Sequence, residues 1–155
     1  MAFTISILAL MATFYQLYLQ RVHNEKSLKP LPQIILGDHQ RQIFVQIKNN
    51  GVGPLIVERI LFEKNGIEFF NLEDCLSLDP KSYMHDVQAH EMLRQVILPN
   101  TFLEVFGMRF DTNITDKELN IIRQQLSVLK IKMKGKDIYN NVVNIERNLN
   151  WFARR

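Results

Sequence analysis

The sequence predicts a mainly β fold, in which an N-terminal transmembrane helix precedes an antiparallel β-sandwich with one or two short helices. Three observations predict it. No charged residue occurs between Ala2 and Leu19, several later segments alternate apolar and polar residues, and Lys64-Asn65-Gly66 is typical of a tight hairpin turn. The 155 residues leave room for one soluble domain beside the helix, and the single cysteine excludes an intrachain disulfide framework.

The first segment is long and apolar enough to cross a membrane. As a helix, the uncharged run is about 27 Å long, close to the thickness of a bilayer core. No Lys or Arg precedes the run and no small residues follow it, so a cleaved signal peptide is disfavoured. A buried soluble helix is the other alternative. The predicted domain boundaries are 1–21 for the membrane helix, 22–32 for a proline-containing stalk and 33–155 for the β-sandwich domain.

Positive charge lies on one side of this helix. Arg21, Lys26 and Lys29 follow the apolar run closely, and nothing positive precedes it. The positive-inside rule therefore predicts a single-pass protein whose C-terminal domain is in the cytoplasm. Tyr15 and Tyr18 lie where an aromatic belt would contact the lipid headgroups. The reverse orientation, with the domain facing the cell envelope, is the alternative.

One face of the helix carries small and polar residues at alternating spacings of four and three, as in one face of a left-handed bundle. The opposite face is large and apolar, with Phe3, Ile7, Leu10, Phe14 and Leu17. Small residues let helices approach in lipid, and hydroxyl and amide groups bond across such interfaces. We expect self-association through the small face; a monomeric anchor is the alternative. This transmembrane stripe comprises Ala2, Ser6, Ala9, Thr13 and Gln16, and continues to Gln20.

The segments beyond the helix are those of an antiparallel β protein. Pro30 and Pro32 predict an extended, semi-rigid stalk. "RQIFVQIKNNG" predicts a strand that turns at its end, and "PLIVERILFE" predicts the returning strand. "IEFF", "MLRQVILPN" and "TFLEVFGMRF" predict further strands, the last two around a Pro-Asn turn, and "VLKIKMKGKDIYNNVVNIERNLNW" predicts a final hairpin. About seven strands in this length favour a β-sandwich.

Two short helices are predicted within this domain. Asn71 is suited to cap a helix in "NLEDCLSL", because its side chain can accept a bond from the first turn. Thr115 and Glu118 form the pattern of a capping box, which predicts a helix that ends at about Leu126.

Two stretches carry a resemblance to a known group. "VQIKNNGVGPLIVERILFEKNG" and "IKMKGKDIYNN" resemble the opening hairpins and the late "D-I-Y-G-N" turn of small bacterial membrane-tethered proteins with an immunoglobulin-like β-sandwich. Asn140 and Asn141 stand where that turn has glycine and its neighbour. The architecture is similar to that of Hailong-type antiphage membrane effectors. The resemblance implies a bacterial inner-membrane protein in which a nucleotide or oligonucleotide on the soluble domain controls channel activity.

The strongest chemical pattern is "VLKIKMKGK". On a strand, Lys130, Lys132 and Lys134 would share one face, with neighbouring side chains about 7 Å apart, and Lys136 is expected in the turn that follows. Such a row repels itself and attracts an anion, so these four lysines are the predicted ligand-binding residues. A solvated strand face that discourages edge pairing is the alternative. Arg123 and Arg147 are further candidates to join the site.

No catalytic or metal-binding pattern is evident. His85, Asp86, His90 and Glu91 are close in sequence, but the two histidines do not share a helix or strand face, so they are interpreted as surface loop residues. Cys75 has no patterned histidine partner and is expected to pack in a core. No nucleophile elbow, phosphate-binding loop or spaced cysteine cluster occurs. We therefore expect a non-enzyme without a metal or cofactor.

The C-terminal segment "NWFARR" combines aromatic and basic residues. Trp151 and Phe152 beside Arg154 and Arg155 are able to contact a membrane surface or nucleic-acid bases. We favour the packing of Trp151 onto the sandwich instead.

Three functions are compatible with these observations. The first is a self-associating membrane effector whose cytoplasmic sandwich binds an anionic nucleotide or oligonucleotide that controls membrane permeability. The second is a non-conducting anchored module that binds another protein by strand addition or through its loops. The third is an envelope-facing stalked sandwich. The expected partners are membrane lipid, further copies of the chain and the anionic ligand.

Overall fold

The structure is a computed structural model that describes residues 2–39, 42–84, 86, 95–110 and 115–154. The chain begins with helix α1 (Ala2–Ser27), which is long and apolar enough to span a membrane. No residue of α1 is buried. The helix includes residues 22–27, which the sequence assigned to the stalk, because helix breakers appear only at Pro30 and Pro32. Only residues 28–31 separate α1 from the first strand.

The remainder is a β domain with two antiparallel sheets, which confirms the mainly β prediction. One sheet has the strand order β1-β2-β6 and the other the order β4-β3-β7-β8, with β5 paired to β3. The elements are β1 (Pro32–His39), β2 (Gln42–Asn49), β3 (Leu55–Lys64), β4 (Ile67–Phe69), β5 (Gln95–Ile97), β6 (Phe102–Arg109), α2 (Asp116–Ser127), β7 (Leu129–Lys136) and β8 (Val142–Asn148). Short 3₁₀ helices span Pro80–Ser82 and Asn150–Arg154.

The core forms where apolar strand faces pack together. Ile43, Val45 and Ile47 of β2 are fully buried, as their alternation with polar residues predicts. Phe62 of β3 and Phe106 of β6 are also fully buried and belong to the same cluster. The core is therefore built from both sheets, and the opposite faces of the strands carry the polar residues.

The connection between β2 and β3 differs from the predicted return. The sequence "NNG" does turn the chain, but β2 pairs with β1 and β6, whereas β3 pairs with β4, β5 and β7. The loop therefore carries the chain from one sheet to the other. Likewise, β5 and β6 surround the Pro-Asn turn as predicted, yet lie in different sheets. Local turn residues specify a reversal but not the partner strand.

Strand β1 was not predicted, since its residues were read as the end of the stalk and the start of the domain. It is paired only on one side, and an edge strand tolerates Pro32 at its first position. Gly37 interrupts its apolar pattern, because a Cβ there would lie 2.1 Å from the Phe44 ring.

Two turns have the backbone that their asparagines predict. Asn65 and Gly66 both have positive φ, as a type I′ hairpin between β3 and β4 requires. Asn140, in the turn between β7 and β8, has a φ of 65°. Asparagine tolerates this left-handed conformation better than most residues with a side chain.

The helical predictions have different outcomes. Residues 71–78 form turns and not the predicted helix, and Cys75 and Leu76 both donate backbone bonds to the carbonyl of Leu72. The segment is too short to propagate a helix against the competing Asn71–Asp74 side-chain bond. By contrast, α2 begins with the predicted capping box, in which Thr115 and Glu118 bond reciprocally.

The junction between α1 and the β domain is held by Asn49. Its buried amide accepts the backbone N–H groups of Leu31 and Gly51 at 3.1 and 3.0 Å, and donates to the carbonyls of Gly53 and Ile97 at 2.8 and 3.1 Å. A Cβ on Gly53 would lie 1.7 Å from the Leu28 carbonyl oxygen. The short connection therefore packs closely against the β2–β3 loop.

Candidate anion-binding face

The outer face of the larger sheet carries the predicted lysine row. In β7, Leu129, Ile131 and Met133 are buried, because alternate side chains of a strand point to opposite faces. The lysines of β7 lie on the other face, at positions 130, 132, 134 and 136, where each is partly or fully exposed. The strand lies between β3 and β8, so both neighbours contribute side chains to this surface.

Three of the four lysines have carboxylate partners. Lys130 lies 2.9 Å from Glu146 of β8. Lys132 bridges Glu63 of β3 and Glu68 of β4, at 2.8 and 2.6 Å. Lys136 lies 3.4 Å from Glu58 of β3, as a further ion pair. These partners neutralise most of the row, so the four lysines have different electrostatic environments.

The Lys132 pair is the strongest of these interactions. The hydrogen bond between Glu63 and Lys132 lowers the pKa of the Glu63 carboxyl below its usual value. The bonds from Lys132 to Glu63 and Glu68 raise the pKa of the Lys132 ammonium well above its usual range. The attraction between Lys132 and Glu63 therefore stabilises the charged forms of both groups.

Lys134 has a different environment. The strand register places it directly between Arg59 of β3 and Asn144 of β8. Within the described ranges, no carboxylate lies within 4.0 Å of the charged groups of Arg59 or Lys134. The Arg59 guanidinium carbon lies 5.8 Å from the centre of the Phe70 ring, which restrains this side chain over an aromatic face.

A cavity of about 380 Å³ opens at this position. It is lined by residues of β3, β7 and β8, among them one amide and two cations that have no carboxylate partner in the described ranges. Directly opposed like charges destabilise a strand pair, and an anion between Arg59 and Lys134 would relieve that repulsion. Guanidinium, ammonium and amide groups are the usual donors to phosphate oxygens. The lining residues are Arg59, Leu61, Lys132, Met133, Lys134, Asn144, Ile145 and Glu146.

Sequence reasoning missed Arg59. It lies beside Glu58 between apolar residues of β3, so it resembled an ordinary exposed charge. Its relation to Lys134 depends on the register between β3 and β7, which includes an irregularity between Val57 and Arg59. No sequence signal specifies that register.

The two other candidate arginines lie away from this face. Arg123 of α2 makes a two-pronged ion pair with Asp38 of β1, with contacts of 2.9 and 3.1 Å. Arg147 is paired in register with Ile131, on the inner face of the sheet, and donates to the backbone carbonyl of Ile34. Arg123 therefore ties α2 to β1, Arg147 ties β8 to β1, and neither joins the lysine row.

Two of the remaining sequence interpretations are confirmed. Cys75 is buried, and desolvation raises the pKa of its thiol, which disfavours a nucleophilic thiolate. Phe152 is fully buried, and Trp151 packs against the core and contacts the Phe152 ring edge-to-face at 5.2 Å. The side chains of Arg154 and Arg155 lie outside the described residues.

The histidine cluster lies mostly outside the described residues, since only Asp86 of the four is included. In the described ranges, no group of three or more histidine, cysteine or carboxylate side chains is suited to hold a metal ion.

The transmembrane stripe is exposed along the whole of α1. Ser6 and Thr13 donate to the carbonyls of Ala2 and Ala9, at 3.0 and 2.9 Å, within their own helix. Hydroxyl groups bonded in this way enter lipid at low cost without a partner helix. Gln16 is the polar residue deep in the stripe for which the described structure provides no hydrogen bond.

The chain matches no protein-family model and shows no significant similarity to a curated protein.

Proposed function

We propose that the chain is a membrane-anchored, self-associating effector whose immunoglobulin-like sandwich binds a nucleotide or oligonucleotide. Helix α1 anchors it in the bacterial inner membrane with the sandwich in the cytoplasm. The bound anion controls membrane permeability, and the architectural resemblance to Hailong-type effectors supports a role in antiphage defence. This proposal narrows the binding site from four lysines to Lys134 with Arg59 and Asn144.

The observation that carries the proposal is the opposed pair of Arg59 and Lys134. These two cations have no carboxylate partner in the described part of the chain and lie opposite each other in the strand register at a cavity, while the surrounding lysines are neutralised. A phosphate group suits this pair, because it accepts several hydrogen bonds and its negative charge would neutralise both cations. Asn144 adds a neutral donor or acceptor that can recognise a base or sugar.

The short junction offers a way to couple the ligand to the helix. The Asn49 bonds tie residue 31 to the β2–β3 loop, and β3 continues from that loop to Arg59. A ligand that favours one arrangement of the assembled domains would shift the population of helix arrangements. Permeability would then depend on ligand occupancy without any chemical reaction.

Binding to a fluorescent single-stranded DNA, with ATP as a competitor, tests the site. We expect the Arg59→Gln/Lys134→Gln variant of the full chain to lose most of its affinity. Loss of two phosphate contacts should also lower the salt slope by about 1.4, at about 0.7 per contact for single strands. The matched control is Lys136→Gln/Glu58→Gln, which removes one ion pair outside the cavity lining and leaves the net charge unchanged. Equal affinities and salt slopes for both variants would exclude the proposed site.

The non-conducting interaction module is the second candidate, and a specific observation favours it. Because Ser6 and Thr13 bond within their own helix, α1 can remain in lipid as a monomer. In this alternative, the exposed face of the larger sheet contacts a protein instead of a nucleic acid. A monomeric mass in detergent, together with absent DNA binding by the parent, would support the module.

A further inference from the structure

We infer that the turn between β7 and β8 enters the lipid interface and forms a second membrane contact beside α1. This inference rests on the proposed membrane anchoring and names lipid as a partner of the β domain. The turn is residues 137–141, and its apolar tip consists of Ile138 and Tyr139, which are 45% and 37% exposed.

The turn is held in one shape by Asp137. This carboxylate is almost fully buried and accepts the backbone N–H groups of Tyr139 and Asn141, each at 2.8 Å. The side-chain amide of Asn141 donates to its second oxygen at 2.8 Å. The loop therefore presents its two apolar side chains in a fixed geometry, so little conformational entropy is lost when they bind.

The position of the turn indicates which partner it meets. Tyr139 lines a cavity of about 300 Å³ together with Leu17, Gln20, Arg21 and Asn24 of α1. The uncharged part of α1 ends in this region, since Arg21 is its first charged residue. If residues 2–19 span the bilayer, Tyr139 lies at the depth where tyrosine rings contact lipid headgroups.

Other loops at the same end of the β domain are also apolar at their tips. Ile56 pairs with Lys136 and Leu55 with Ile97, which places the β2–β3, β5–β6 and β7–β8 connections at one end. Val52 in the β2–β3 connection is 64% exposed, and Leu98 in the β5–β6 connection is 58% exposed. We define residues 50–54, 98–101 and 137–141 as the helix-proximal end.

A lipid surface suits this end because the end adjoins the emerging membrane helix. Aliphatic and tyrosine side chains at loop tips are favourable at the headgroup boundary, and the basic residues that follow the apolar part of α1 are attracted to anionic lipid. Insertion of the tip would fix the tilt of the domain on the membrane. The face that carries Arg59 and Lys134 would then have a defined orientation toward the cytoplasm.

Site-specific fluorescence in proteoliposomes tests the inference on the full chain. In a Cys75→Ala background, a single cysteine is introduced as Ile138→Cys, Val128→Cys or Leu10→Cys and labelled with an environment-sensitive fluorophore. Val128 is the matched control, since it is 50% exposed and precedes β7 at the opposite end of the strand. The strand separates the two positions by roughly 23 Å. Leu10 reports insertion of α1 itself.

Vesicles of phosphatidylethanolamine and phosphatidylglycerol carry a nitroxide quencher near the headgroup or deep in the acyl chain. We expect headgroup nitroxide to quench the Ile138 label at least about two-fold more than the Val128 label. Equal quenching at the two sites, with the Leu10 label quenched by the deep nitroxide, would overturn the inference and leave the anchor intact. An unquenched Leu10 label would instead contradict membrane anchoring. If the Ile138 label is shielded from the aqueous phase only at a high protein-to-lipid ratio, the turn contacts a second copy of the chain instead of lipid, and the inference is overturned.

Discussion

Arg59 and Lys134 lie directly opposite each other on neighbouring strands, and neither is paired with a carboxylate in the part of the chain that the structure describes. Every other lysine of β7 has such a partner. A sheet that compensates three cations and leaves two like charges opposite each other in the strand register retains a local repulsion. We propose that this pair is retained to bind an anion.

The first prediction concerns this repulsion. Lys134→Glu should raise the free energy of unfolding by about 0.5 kcal/mol, because an exposed opposite-charge pair replaces a like-charge pair. It should also abolish DNA binding, since the new carboxylate occupies the anion position. Urea denaturation measures the first effect and fluorescence anisotropy the second. Lys134→Gln is the control, and its free energy of unfolding should lie between those of the parent and of Lys134→Glu. A Glu variant less stable than the Gln variant would contradict the proposed repulsion between Arg59 and Lys134.

The second prediction concerns the junction. Asn49→Ala should lower the free energy of unfolding by about 3 kcal/mol, because it leaves several buried backbone groups without partners. Asn50→Ala is the control, since Asn50 makes an exposed bond to Gln33 at 3.0 Å and its loss should cost less than about 0.5 kcal/mol. Urea denaturation of the full chain in detergent measures both. Similar losses for the two variants would show that Asn49 does not hold the junction.

The third prediction concerns pH. Because Lys132 lowers the pKa of Glu63, this carboxyl stabilises the fold above its unfolded pKa of about 4.5 and loses that contribution as the pH falls through its lower folded value. Glu63→Gln should therefore lower the melting temperature at neutral pH and have little effect below the folded pKa. Thermal denaturation across acidic pH checks this difference. A deficit that persists unchanged in strong acid would exclude the ion pair as its cause.

The fourth prediction concerns self-association. Ala9→Phe should reduce the oligomeric mass in detergent, because a bulky ring on the small-residue face separates the helix backbones. Leu10→Trp places a similar increase on the opposite face and should keep the parental mass. Light scattering of the purified full chain measures both. A monomeric parent, or an oligomer that tolerates both changes, would contradict the proposed interface.

The sequence predicts the elements of this fold better than their partners. Alternation correctly places Ile43 in the core, and the capping box of Thr115 correctly begins α2. These features are local, because each depends on residues adjacent in the chain or one turn apart. The edge strand β1 and the passage of residues 50–54 between sheets depend on long-range pairing, for which turn residues carry no information.

The same limit applies to the candidate site. The lysine face of β7 follows from a two-residue period, and the structure has the lysines on one face. Their acidic partners, and the approach of Arg59 to Lys134, come from the register of strands distant in sequence. Sequence reasoning therefore overestimated the free charge of the row and missed the cation on β3.

Ion flux from proteoliposomes tests the central claim most directly. Full-length protein is reconstituted, single-stranded DNA or ATP is added outside, and release of a trapped ion is recorded. The account predicts that the added anion changes the flux and that Arg59→Gln/Lys134→Gln loses this response, while Lys136→Gln/Glu58→Gln, outside the cavity lining, retains it. Flux that is absent under all conditions, or that responds equally in both variants, would contradict an effector controlled through this face.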